Sequence, residues 1–108
     1  MVNLIIEKTE QYIYDNIDEN ISIKDICKHL NISSTSLTQY FNKELNITPH
    51  RFILSIKILK AKELLIKGDN ISEIAQDIGF CDQSHLNRVF KKYEGITPYG
   101  YKMKNCEI

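Results

Sequence analysis

The sequence predicts an all-α fold of about seven helices, and three observations carry that prediction. Glycine and proline are few, four and two in 108 residues, which disfavours turn-rich β-structure. Apolar residues recur at spacings of three and four along most of the chain, as amphipathic helices require. Helix-start residues (Ser, Asn or Thr, followed by an acid or a proline) stand ahead of those apolar runs. A chain of this length suits one domain or two very small ones sharing a core.

The first helix is expected from Leu4 to about Ile17, with Ile6, Ile13 and Ile17 on one side and Asp18-Glu19-Asn20 ending it. Ser22 then caps a second helix, with Asp25 three residues on as the returning acid of a capping box. Its core face is Ile23, Ile26, Cys27 and Leu30. After the break Asn31-Ile32-Ser33, a third helix carries the stripe Leu37, Tyr40, Phe41 and Leu45.

The same arrangement returns later. Asn70 and Glu73 repeat the cap, and Ile71, Ile74, Ala75 and Ile78 the core face. Gly79-Phe80-Cys81-Asp82 is the break, and Leu86, Val89, Phe90 and Tyr93 the stripe. The copies align at an offset of 48 and, beyond one extra residue in the second break, of 49. Asn31 and Gly79 are residue types that accept a positive φ at a helix end. Short helix, sharp turn and amphipathic helix together describe a helix-turn-helix, here twice. Both copies close on Ile-Thr-Pro, where Thr48 and Thr97 suit the N-cap and Pro49 and Pro98 the first helical position.

The helix after Thr48 runs to about Lys67 and stops at Gly68-Asp69-Asn70. It carries two apolar stripes, Leu54/Ile58/Ala61/Leu65 and Phe52/Leu59/Ile66, as expected of a connector contacted on two sides. The reading is one domain over 1–108: lobe one about 3–47, connector about 48–67, lobe two about 70–104. A connector of ~20 residues spans about 30 Å. Major grooves on one face of B-DNA recur every ~34 Å, which would give two copies a use.

Charge bears on that use. The net charge is zero. Residues 1–20 hold Glu7, Glu10, Asp15, Asp18 and Glu19 against Lys8 alone, leaving 13 of the 14 basic residues against 9 of the 14 acidic ones elsewhere. A local basic face matters more for phosphate contact than the total. No apolar run is long enough to cross a bilayer and no secretory leader pattern is visible. Three scattered cysteines, Cys27, Cys81 and Cys106, fit a reducing cytoplasm better than a disulfide framework.

In a helix-turn-helix the second helix enters the major groove with its polar face toward base edges. In copy two that face offers Gln83, Ser84, His85, Asn87 and Arg88 to bases, with Lys91 and Lys92 to phosphates. A guanidinium can bond guanine O6 and N7 together, so Arg88 is the sharpest reader. In copy one Thr35, Ser36, Thr38 and Gln39 face bases, and Ser34 and Lys43 phosphates. Copy one has no arginine on this face and is expected to specify less sharply.

Ile74-Ala75, Gly79-Phe80, Gln83-Ser84, Phe90-Lys91-Lys92, Gly95, Thr97-Pro98 and Tyr101 together resemble the signature of the AraC/XylS family of bacterial transcription regulators, over about residues 3–104. The resemblance implies a seven-helix domain that binds promoter DNA asymmetrically through two adjacent major-groove segments. It places Thr35, Ser36, Thr38 and Gln39 on the first recognition helix, and Gln83, Ser84, His85, Asn87 and Arg88 on the second. Lys57 and Lys102 stand where the family usually has arginine. They keep the charge but lose bidentate geometry, which argues against their bridging carboxylates. Many members add a ligand-sensing, dimerising domain. These 108 residues match the module alone, as a stand-alone monomer or as a piece of a longer regulator.

Two other classes compete. An enzyme would need a Gly-rich phosphate loop, a Cys-x-x-Cys pair or a Ser-His-Asp arrangement, and none occurs. His29, His50 and His85 fall on three different helices, and no metal or other cofactor is expected. A protein-interaction module is distinguished by Lys43, Arg88, Lys91 and Lys92: heads tied up in internal ion pairs would weaken the DNA reading. RNA is disfavoured because no aromatic residues interleave the basic ones. RNA polymerase would be the partner of an activator.

Overall fold

Seven helices follow one another through residues 2–105, the residues this computed structural model describes, and no strand occurs among them. They are α1 (Val2–Asp15), α2 (Ile23–Leu30), α3 (Ser34–Leu45), α4 (Pro49–Lys67), α5 (Ile71–Asp77), α6 (Gln83–Glu94) and α7 (Pro98–Asn105). Cys106 lies outside the described residues. The fold is all-α, as predicted. The first helix ends two residues earlier than expected, leaving Ile17 half-buried in the turn that follows.

The starts are chemical. Thr48 Oγ1 accepts the Arg51 amide at 3.2 Å ahead of α4, and Thr97 Oγ1 the Gly100 amide at 3.1 Å ahead of α7. Pro49 and Pro98 take the first helical position of each, where a missing N–H costs nothing. Gly68, at φ +97°, follows the end of α4.

The chain divides into two compact units. The first comprises the residues up to Asn16 together with Ile21–Ile56. Here α1, α2 and α3 pack on one another around Ile13, Ile26, Leu37 and Phe41, all fully buried. Phe52 lies with its ring 4.9 Å from that of Phe41. Thr9 is buried too, its hydroxyl donating to the Ile5 carbonyl at 2.8 Å.

The second unit comprises Ile17–Asn20 with the chain from Lys57 onward. In it α6 packs against α5 and α7. Its core holds Ile74, Ala75, Ile78, Leu86 and Phe90, with Ile58, Ala61 and Leu65 from α4. Phe90 meets Tyr101 edge-on at 5.6 Å. Lys62 pairs with Glu94 at 3.1 Å and stands over the Tyr101 ring.

Two apolar expectations need correction. Leu45 was placed in the buried stripe of α3 but is 39% exposed at the helix's last turn. The Phe52/Leu59/Ile66 stripe of α4 is not covered along its length: Phe52 is half-buried, whereas Leu59 and Ile66 are 50% and 49% exposed. The buried arc of α4 instead adds Ile53, Ile56 and Lys57.

Lys57 is a buried charge, only 4% exposed. Its Nζ donates to the Glu19 carbonyl at 2.7 Å and lies 5.7 Å from the Phe80 ring centroid. Lys102 Nζ likewise donates to a backbone carbonyl, that of Asp69, at 3.1 Å. Neither lysine forms an ion pair with a carboxylate among the described residues. Gly79, at φ +77°, lies against the Lys57 contact: an added Cβ would overlap the Glu19 carbonyl and sit 2.7 Å from Lys57 Nζ.

Gly79→Ala is therefore expected to cost about 2 kcal/mol or more, from left-handed strain plus displacement of the carbonyl. Gly68→Ala, whose Cβ would meet nothing within 4 Å, should cost only the strain, about 1 kcal/mol. Urea midpoints of the two variants decide. Burial holds the Lys57 ammonium below the ordinary lysine pKa of 10.5, with the charge of Asp18 opposing that shift. Between the two values the unfolded chain binds the proton that the folded chain has released, so stability rises with pH across that window. The contribution is complete above 10.5 and is lost as pH falls through the folded value. Relative to Lys57→Met, the wild type should gain stability as pH is raised through the window; urea unfolding at a series of pH values checks this, and a flat difference would refute it.

Candidate nucleic-acid interface

Each unit holds one short helix, one tight turn and one amphipathic helix. In the first unit Ser22 Oγ accepts the Asp25 amide at 3.1 Å, and Asp25 Oδ2 accepts the Ser22 amide at 3.3 Å. This is the capping box expected from the sequence. α2 ends at Asn31, left-handed at φ 58°, and the Ile32 amide reaches back to the Cys27 carbonyl at 3.1 Å. Ser33 then caps α3, its Oγ accepting the Ser36 amide at 3.1 Å.

The second unit repeats the device with different residues. Asn70 Oδ1 accepts the Ser72 and Glu73 amides at 2.9 and 3.3 Å; no return bond from Glu73 forms among the described residues. Gly79 is left-handed, and the Phe80 amide reaches the Ala75 carbonyl at 2.9 Å. In both turns the amide therefore bonds a carbonyl five residues back, as a Schellman-type helix end requires. The extra residue of the second turn brings Asp82 to the cap position, where Oδ1 accepts the His85 amide at 2.8 Å. That cap was not anticipated, although an aspartate directly ahead of an amphipathic run is a recognisable start signal.

These starts orient the outer faces. On α3, Ser34, Thr35, Ser36, Gln39 and Lys43 are exposed, and Thr38 is half-buried. Ser36, Gln39 and Lys43 with Tyr40 line a shallow groove of about 220 Å³. On α6, Gln83, Ser84, Arg88, Lys91 and Lys92 are exposed, and Asn87 is half-buried. His85 is half-buried with its ring edge-on to Phe80 at 4.9 Å. Its Nδ1 is buried without a hydrogen-bond partner among the described residues.

The ion pairs found among the described residues are Lys60–Glu63 and Lys62–Glu94. Neither uses Lys43, Arg88, Lys91 or Lys92, so these cationic heads form no ion pair among the described residues. No group of three or more His, Cys, Asp and Glu side chains is placed to hold a metal among the described residues.

Two capped helices with polar outer faces, each mounted on a helix-turn-helix, define a DNA-binding class of domain. A family model described as "Helix-turn-helix domain" matches residues 26–104. The raffinose operon transcriptional regulatory protein RafR of Pediococcus pentosaceus is 28% identical over 107 residues, covering 93% of this chain and 39% of RafR. The lactose operon transcription activator of Staphylococcus xylosus is 28% identical over 103 residues, 94% of this chain and 37% of that protein. Among solved structures, the C-terminal domain of AraT, a response regulator from Geobacillus stearothermophilus, superposes with a TM-score of 0.88. It is 27% identical, and the match covers 96% of this chain and 88% of that one. The chain thus belongs to the AraC/XylS family and carries the DNA-binding domain of a transcriptional regulator. It spans less than two-fifths of the length of either curated relative.

The two caps give a direct test. Asp82→Ala should cost about 1 kcal/mol and fray the turn that carries Gln83 and Ser84. Hydrogen exchange at the His85 amide, the donor to Asp82, should accelerate, while the Ser36 amide held by Ser33 keeps its protection.

Proposed function

We propose that the chain binds promoter DNA sequence-specifically, setting α3 and α6 into adjacent major-groove segments, and that it activates transcription. The observation that carries this reading is the pair of capped helices whose polar outer faces hold cations that pair with no carboxylate among the described residues. Thr35, Ser36, Thr38 and Gln39 on α3, and Gln83, Ser84, His85, Asn87 and Arg88 on α6, read base edges. Ser34, Lys43, Lys91 and Lys92 hold phosphates. The Staphylococcus xylosus relative is a transcription activator, which supports activation over repression. RNA polymerase is then the protein partner, the chain acts as a monomer in the cytoplasm, and it has no enzymatic role.

The two readers divide the work. Arg88 offers a bidentate grip worth ~1–3 kcal/mol of discrimination at one guanine, and α3 has no equivalent. Selection of bound sites from random duplexes tests the reading, followed by single-base substitution across the selected site. Arg88→Ala should relax preference at one position by roughly tenfold or more, and changes on α3 should relax it less. If about 6–10 phosphates are neutralised, affinity should fall by roughly three to five decades between about 50 and 200 mM salt. No enriched sequence, together with a flat salt response, would refute it.

A further inference from the structure

Outside the two reading faces, the first unit carries a groove of about 570 Å³ lined by Lys24, Cys27, Lys28, Asn31, Ile32 and Ser33. Lys24 and Lys28 are exposed one turn apart on α2, and neither joins an ion pair among the described residues. No acid among the described residues lines the groove. The neighbouring Asp25 is committed to the capping box with Ser22. The floor is less polar: Cys27 and Ile32 are half-buried.

The groove ends at Ser33, whose Oγ caps the first turn of α3. It is therefore continuous with the start of the proposed reader. Lys43 stands nine residues beyond Ser34, about 14 Å along a helix, against a major groove about 12 Å wide. Cations thus flank α3 at both ends. In the second copy, at the offset of 48, Ser72 and Gln76 replace Lys24 and Lys28, and the positive charge sits on α6 instead.

We propose that the Lys24–Lys28 groove is a second phosphate-binding site of the first unit, gripping the strand on the far side of the major groove from Lys43. It rests on the DNA-binding reading above. The first helix of a helix-turn-helix crosses the duplex backbone, and α2 is that helix here. Two ammonium heads meet successive phosphates, and Cys27 with Ile32 meets the deoxyribose between them. The site compensates for a reader that has only one lysine on its own face.

The test uses the full chain and the duplex it selects. Lys24→Gln with Lys28→Gln should lower the slope of log affinity against log salt by about 1.8 and weaken matched and mismatched duplexes equally. In a Cys81→Ser/Cys106→Ser background, the selected duplex should slow alkylation of Cys27. An unchanged slope, or equal alkylation with and without duplex, overturns the proposal. An unchanged slope with lost transcriptional output would assign the lysines to an acidic protein surface, which overturns it equally. Failure of the DNA-binding reading would show differently, as absence of any selected duplex for the wild type.

Discussion

A single buried lysine organises the second unit. Lys57 donates to the Glu19 carbonyl, that carbonyl crowds the α-carbon of Gly79, and Phe80 follows with its ring beneath the ammonium. Phe80 in turn meets His85 edge-on in the first turn of α6. The position of the proposed reading helix is thereby linked, through four contacts, to a main-chain oxygen before α2. A desolvated charge is an expensive way to make such a link. A lysine at this site can serve a backbone acceptor with one short bond and still lay its stem along apolar neighbours.

The two helix-turn-helix copies solve one geometric problem with different chemistry. Each must end a helix abruptly and begin another a few residues on, after three residues in copy one and five in copy two. Copy one uses a left-handed asparagine and a serine cap, copy two a left-handed glycine and an aspartate cap. The faces they present differ more. The outer surface of α3 is hydroxyl- and amide-rich, suited to thymine methyls, adenines and phosphates. That of α6 adds arginine and two lysines. The two proposed readers are therefore chemically unequal.

Much of the fold was legible because its signals are local. The Ser22–Asp25 box, the Thr-Pro starts and the positive-φ positions Asn31 and Gly79 depend on residues a few places apart. What failed was long-range. Periodicity shows that α4 has two apolar stripes, but only the packed chain decides which is covered, and Leu59 and Ile66 remain half in solvent. Leu45 continues the α3 spacing in sequence yet falls where the helix runs beyond its core. For Lys57 and Lys102 the sequence argued against carboxylate bridges; their actual acceptors, two main-chain carbonyls 38 and 33 residues away, carry no side-chain signal at all. The outer faces of α3 and α6 were visible as polar positions opposite a stripe. The edge-on seating of His85 on Phe80 was not, because it depends on where the turn places both rings.

The crowding at Gly79 also bears on how a duplicated module ages. Asn31 closes its turn with a side chain of its own, whereas the matching position in the later copy has been closed over by a carbonyl from before the first copy begins. The halves therefore no longer share one set of permitted residues. A side chain such as the one Asn31 carries would collide at Gly79 with the Glu19 carbonyl, so the later turn is the more restricted of the two. Once one repeat is used to hold the chain that precedes the other, symmetry of origin stops being symmetry of tolerance.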